Sequence, residues 1–333
     1  MSYFLQNALI VLRQLVMLYL IVVVGVVAER MKWFPEKAAK RCAQLLMFVV
    51  APCIIIRSFL VMEYSSEVLR NLGFALLGGL LLHGLGITIT WHAFRGKKNP
   101  DTDPILHYGS IYGNNGYMGL PLAQAMVGDI GVFYVSIVVL TFSMFAFTHG
   151  QYIMSGGAVK HQGAEGKSQR VTQFKVKSLL LNAATIAVLI GFPLFLFRVP
   201  YRIPAQVFEI VTWPINSIAA MNTPLAMLMF GTFLSRTNFS SIMRNKKILL
   251  TGVIKLFITP LVVMGALLSL RVDRTLLHAL MIPAAAPSAN NTVVFAALHE
   301  KDAGYAAQVV SLISLISIIT MPTMIALALS VVG

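Results

Sequence analysis

Ten apolar runs, near residues 7–28, 40–61, 71–94, 104–127, 130–153, 176–197, 206–234, 247–270, 275–298 and 303–331, govern what this chain can fold into. Each is close to the roughly 20 residues that carry an α-helix across about 30 Å of hydrocarbon. A share of 57% hydrophobic and only 11% charged residues excludes a soluble globule, which holds about 45–50% apolar and about 25% charged side chains. The strict apolar–polar alternation of a membrane β-barrel is absent. The expectation is an all-α integral membrane protein whose first span is retained, because Ser2 to Gln6 carries no basic residue and the apolar run after Arg13 is too long for a cleaved signal. Cys42 and Cys53 fall eleven positions apart in one predicted helix, about 16 Å along its axis. They are too distant to pair and are read as packing residues.

The net charge of +14 would suit a nucleic-acid partner if it formed one patch, but it is distributed by loop. Loops after the odd-numbered spans hold eighteen Lys and Arg: Arg30, Lys32, Lys37, Lys40 and Arg41, then Arg95, Lys97 and Lys98, then Lys160, Lys167, Arg170, Lys175 and Lys177, then Arg236, Arg244, Lys246 and Lys247, and Lys301. The opposite loops hold five: Arg70, Arg198, Arg202, Arg271 and Arg274. This bias places the first set in the cytoplasm and both termini outside, with the lipid bilayer as partner and no nucleic acid.

Five spans per half is an odd number, so a duplicated half must be inverted in the membrane. Pro52 and Pro224 lie 172 positions apart, Asp129-Ile130-Gly131 and Asp302-Ala303-Gly304 lie 173 apart, and Asn114-Asn115 and Asn290-Asn291 lie 176 apart. Nearly one offset in three places indicates an internal repeat. The predicted organisation is a first five-helix repeat over 1–154, a cytoplasmic linker over 155–175 rich in Gly, Lys, Gln and Ser, and a second, inverted repeat over 176–333.

The fourth and ninth spans are interrupted by helix breakers and amides: Gly113-Asn114-Asn115-Gly116 with Pro121 behind it, and Pro287-Ser288-Ala289-Asn290-Asn291. Irregular backbone at membrane depth is tolerated where it is buried in protein or lines a cavity, and paired interruptions in the two halves point to a binding site between repeats. Each break frees N–H groups at the start of a half-helix, where the helix dipole favours an anion. Asn114, Asn115, Ser288, Asn290 and Asn291 add hydrogen bonds without burying a fixed charge. A carboxylate suits such a site. A single Asn could serve only to tie helices together; two pairs beside breakers at related positions favour a binding role.

The run Tyr112-Gly113-Asn114-Asn115-Gly116-Tyr117-Met118-Gly119-Leu120-Pro121-Leu122, with Pro287-Ser288 and Val293-Val294-Phe295-Ala296, resembles the auxin efflux carrier family, which includes the plant PIN-FORMED carriers and bacterial organic-acid permeases. The resemblance implies a fold like that of the bile acid/sodium symporter group: ten helices in inverted repeats with crossed, broken fourth and ninth helices. It also implies a scaffold of helices 1, 2, 6 and 7, a transport unit of helices 3–5 and 8–10, a homodimer through the scaffold, and a bacterial inner membrane as location. By position, Asn114 matches the Asn of the plant Pro-Asn-Thr break, Pro287 the crossing proline, and Thr141 a pocket Gln. Gly113 for Pro, Asn115, and Thr141 for Gln depart from the plant pattern, so a smaller aliphatic acid fits better than an indole.

His83 and Lys255 lie mid-span in the third and eighth helices, again 172 apart. Ionisable groups there are functional candidates: Lys255 as a balance for an anion, His83 as a proton carrier, or both simply as partners of nearby backbone and helices. Arg57 and Arg13 are expected to snorkel, and Asp129 and Asp302 to cap the helices they open. No span interior contains Asp or Glu, so a proton gradient, membrane potential or uncoupled movement is favoured over sodium, with no cofactor or bound metal expected. A sodium symporter of the bile acid type and a membrane sensor are the alternatives. An enzyme is disfavoured, because the remaining histidines show no metal-ligand or nucleophile–base spacing.

Overall fold

A computed structural model describes residues 3–94, 99–156, 160–162, 168–170, 182–235 and 245–331. The chain is nearly all helical. In order come α1 (Tyr3–Arg30), α2 (Glu36–Leu45), α3 (Ala51–Val61), α4 (Ser66–Ala93), α5 (Asp103–Ile111), α6 (Leu120–Val127), α7 (Asp129–Phe145), α8 (Gln151–Met154) and α9 (Ala183–Leu196). There follow α10 (Ala205–Ala219), α11 (Asn222–Ser235), α12 (Lys246–Val253), α13 (Thr259–Ser269), α14 (Arg274–Ala285), α15 (Asn291–Leu298) and α16 (Ala303–Val331). Several of these run together. Among the described residues, seven helices are long and apolar enough to cross a membrane: Leu12–Arg30, Glu36–Val61, Ser66–Ala93, Asp129–Met154, Ala205–Ser235, Lys246–Ser269 and Ala303–Val331. The protein is therefore an integral, multi-pass membrane protein.

The fourth and ninth predicted spans are missing from those seven for a physical reason. Each is split into half-helices, of nine and eight residues (α5 and α6) and of twelve and eight (α14 and α15). The sixth is short, at fourteen residues in α9, and the start of its predicted run lies outside the described residues. So does most of the predicted linker, whose described part includes an antiparallel pair, Lys160–Gln162 against Ser168–Arg170.

Proline shapes the long helices. Pro52, Pro121 and Pro260 each stand two residues after a π-helical turn, at Leu46–Val50, Asn115–Gly119 and Ile254–Ile258. A proline ring crowds the carbonyl four residues back and donates no hydrogen bond, and a widened turn just ahead of it accommodates both defects. Glycine sets how closely helices approach. A Cβ on Gly25 of α1 would run into the Leu228 carbonyl of α11, and one on Gly231 into the Val22 carbonyl, so these two helices meet backbone to backbone, as small residues permit in membranes.

The core centres on α3, α7 and α9, where Phe59 meets Phe133 at 4.8 Å and Phe133 meets Phe195 at 5.1 Å between ring centroids. Near them Arg57 of α3 departs from its expected snorkelling. It holds Asp129, at the first turn of α7, through Nη1 to Oδ1 at 2.6 Å and Nη2 to Oδ2 at 3.1 Å. Asp129 is thus an ion-pair partner rather than a side-chain cap, whereas Asp302 does cap α16, accepting from the Tyr305 N–H at 2.8 Å. Free Cys42 and Cys53 are both partly buried.

Candidate functional site

The two breaks cross. Gly113 and Ser288 form an isolated antiparallel bridge, the Asn114 N–H donates to the Pro287 carbonyl at 2.7 Å, and the Ala289 N–H donates to the Tyr112 carbonyl at 2.9 Å. Each break thereby satisfies part of the other's exposed backbone, which is what makes non-helical chain tolerable at this depth. Gly113 keeps this meeting close. A Cβ at that position would stand 3.0 Å from Asn115 Oδ1, 3.1 Å from Lys255 Nζ and 3.2 Å from the Pro283 carbonyl.

The polar side chains divide into those that hold the crossover and those that face a cavity. Ser288 is an anchor: its hydroxyl is fully buried and donates to the Gly109 carbonyl at 2.6 Å. Asn114 does both, since its side-chain oxygen accepts from the Tyr117 N–H at 3.3 Å while the residue lines cavities on two sides. Asn115 lines the smaller cavity, and neither atom of its buried amide has a hydrogen-bond partner among the described residues. Asn290 precedes α15 without a side-chain capping bond and, with Asn291 and Gly116, lines the same cavity. Pro121 lies in the first turn of α6, below the break.

That smaller cavity measures about 70 Å³ and is completed by residues including Tyr117, Phe142, Ser143 and Asn182. A larger one of about 580 Å³ shares Asn114, Tyr117 and Asn290 with it, and runs between Glu36 and Lys40 of α2, Met229 and Phe230 of α11, and Gln308, Ser311 and Ser314 of α16. Glu36 and Lys40 pair at 2.6 Å. The crossover amides thus form a floor shared by two cavities. A third cavity, of about 470 Å³, lies between α4, α5 and the end of α7–α8 and includes His107 and His149. His149 reaches the break indirectly, its Nδ1 lying 2.9 Å from the Tyr112 hydroxyl.

Three candidates from the sequence sit elsewhere. Thr141 is buried with its hydroxyl on the Val138 carbonyl at 2.9 Å and packs into the space left by Gly79 of α4, so it lines none of these cavities; Phe142 and Ser143 take that place. His83 is fully buried, bonded through Nδ1 to its own helix at the Gly79 carbonyl at 2.7 Å and stacked on Phe145 at 5.3 Å. It makes no bond to a neighbouring helix, and its Nε2 has no partner among the described residues. Lys255 is fully buried in the π-helical turn of the eighth run and donates to the Ala284 carbonyl at 3.4 Å. It lies behind the crossover, at the carbonyl end of α14, where a basic group complements the helix dipole.

Gln308, Ser311 and Ser314 escaped the sequence reading. Their signal was polarity every third residue along one face of an otherwise apolar helix. Among the described residues no three His, Cys, Asp or Glu side chains form a metal-holding group.

Comparison with curated proteins returns no match. The family model for membrane transport proteins matches residues 10–325, nearly the whole chain. With two apolar helices broken and crossed around buried amides, over a match of this extent, the chain belongs to that family of transporters, the auxin efflux carrier or PIN-like family.

Proposed function

We propose that this protein is a secondary carrier of a small organic anion, a mono- or dicarboxylate, that binds at the crossover and moves by alternating access. The observation that carries this reading is Asn115: a buried amide without partners, on a cavity wall beside the starts of two half-helices. An unpartnered buried amide costs about 1–3 kcal/mol, and a carboxylate would accept from its Nδ2 where two helix dipoles already favour negative charge. Among the described residues, no Asp or Glu lines the smaller cavity.

In this account the two halves are inverted repeats, helices 1, 2, 6 and 7 form the scaffold, and the remaining helices carry the site. The reciprocal hydrogen bonds at the crossover support the inversion, since each break offers the other an equivalent pair of groups. The positive-inside bias puts Glu36, Lys40 and Asn182 at the cytoplasmic side. Both cavities therefore open inward, and the conformation is inward-facing. The lipid-facing helix α10, with Ile210 and Trp213 strongly exposed, offers scaffold surface for a homodimer in a bacterial inner membrane.

Coupling to protons, or no coupling, is favoured over sodium by the Lys255 amine. It occupies the ground behind Gly113 among the Pro283 and Ala284 carbonyls and Asn115 Oδ1, oxygens that a sodium ion would otherwise seek. The test is uptake of radiolabelled carboxylates into proteoliposomes under imposed proton, sodium and voltage gradients in turn. Uptake of at least one acid, steepened by a proton gradient or voltage and unchanged by sodium, is expected. Uptake that requires sodium would establish the bile acid symporter mode instead, and no uptake of any acid would end the carrier reading.

A further inference from the structure

The Arg57–Asp129 pair joins the two parts that a carrier of this architecture must separate. Arg57 belongs to α3 in the second span, and Asp129 opens α7 in the fifth. They are 72 positions apart, and the pairing is two-pronged, at 2.6 and 3.1 Å. With side chains 27% and 33% exposed, the pair lies on the side where α3 ends and α7 begins, and Phe59 and Phe133 of the phenylalanine cluster belong to the same two helices. By the charge bias of the loops, that side is extracytoplasmic.

Among the described residues, the positions one repeat further on hold no such ion pair. Stepping 172 positions from Arg57 gives Met229, and 173 from Asp129 gives Asp302. Met229 lines the larger, cytoplasm-facing cavity, and Asp302 bonds the N–H of Tyr305 in its own helix. At equivalent positions, then, one face is closed by a bidentate ion pair and the other stands open beside an apolar side chain.

We propose that Arg57 and Asp129 form a one-sided latch, an extracytoplasmic gate that holds the inward-facing state and must part each time the carrier opens outward. The inference rests on the carrier reading for its two moving bodies. A forked guanidinium–carboxylate contact is directional as well as charged, so the latch fixes the register of α7 against α3 as well as their closeness. Because the pair is partly exposed, its effect is modest: its loss raises the outward-open population roughly three- to tenfold, the range of a partly screened ion pair with good geometry.

The native thiol of Cys53 reports on it. Cys53 lies one helical turn from Arg57 on the same face, is unpaired and is partly buried. In protein with Cys42→Ser, reconstituted in vesicles, a membrane-impermeant maleimide is added from the extracytoplasmic face. Arg57→Gln and Asp129→Asn are each expected to speed Cys53 labelling three- to tenfold, and Arg57→Lys, which keeps charge but loses the fork, to fall between them and the parent. Exchanging the pair, Arg57→Asp with Asp129→Arg, is expected to return labelling toward the parent rate, which a merely misfolded variant would not do. Equal labelling in parent and single variants, or an exchanged pair as reactive as the singles, overturns the latch. The labelling needs no substrate, so a parent protein that takes up no carboxylate would fail the carrier reading while leaving this measurement readable.

Discussion

Adding one methyl group at Gly113 tests whether the crossover is packed as tightly as described. Taking 3.4 Å as the near limit of ordinary contact, the three distances of 3.0, 3.1 and 3.2 Å fall short by 0.4, 0.3 and 0.2 Å. The Pro283 carbonyl is backbone, and Asn115 and Lys255 are buried, so little can yield except the crossing itself. Overpacking of this kind costs about 1–3 kcal/mol. Gly116, three residues on, is the internal control: a Cβ there meets nothing within 4 Å, and Ala in place of Gly in a helical turn gains about 0.5–1 kcal/mol. In thermal unfolding of the purified protein, Gly113→Ala should lower the midpoint by roughly 2–6 °C and Gly116→Ala should hold or raise it by up to about 2 °C. A Gly113→Ala protein as stable as Gly116→Ala would refute the close approach of the two breaks, and with it the shared floor of the cavities.

Asn115→Ala removes an amide with no partner, so folding stability should hold or rise while apparent substrate affinity falls roughly 5- to 100-fold; Asn114→Ala should lose both, because its oxygen also holds the Tyr117 N–H, a cap worth about 1 kcal/mol. Both follow from parallel melting and uptake curves. His83→Gln should leave the pH dependence of uptake unchanged, because the imidazole is fully buried and bonds within its own helix, and Lys255→Met should cut turnover more than melting temperature; a flattened pH profile would restore His83 as the proton carrier. Cysteines replacing exposed Lys32 and Arg202, in protein without Cys42 and Cys53, should label from opposite faces, and labelling from one face would break the topology on which the inward-facing assignment depends.

Much of this architecture is visible in the sequence because hydrophobic length and helix breaking are local properties. The run near 40–61 becomes Glu36–Val61 and that near 303–331 becomes Ala303–Val331, each bounded by the polar residues that marked it. The breaks at Gly113 and Pro287 appear where Gly, Asn and Pro cluster. What the sequence leaves hidden is which partner a polar group takes. Arg57 near a helix end reads as a snorkelling side chain until α7 brings Asp129 beside it from 72 positions away. Ser288 and Asn115 belong to equally convincing motifs, yet the hydroxyl turns inward to Gly109 while the amide stays buried and unmatched. Thr141 illustrates the limit of position-by-position analogy, since the small Gly79 opposite draws it into the packing.

Whether a carboxylate occupies the crossover is most directly read from a thiol placed beside it. Gly116→Cys, in protein lacking Cys42 and Cys53, puts a reactive group in open space on the smaller cavity wall. Its maleimide labelling should slow several-fold at saturating concentrations of a transported acid and remain unchanged with the corresponding uncharged amide. That protection should disappear when Asn115→Ala is added. Equal protection by acid and amide, or protection that survives the loss of Asn115, would contradict anion binding at the crossed breaks.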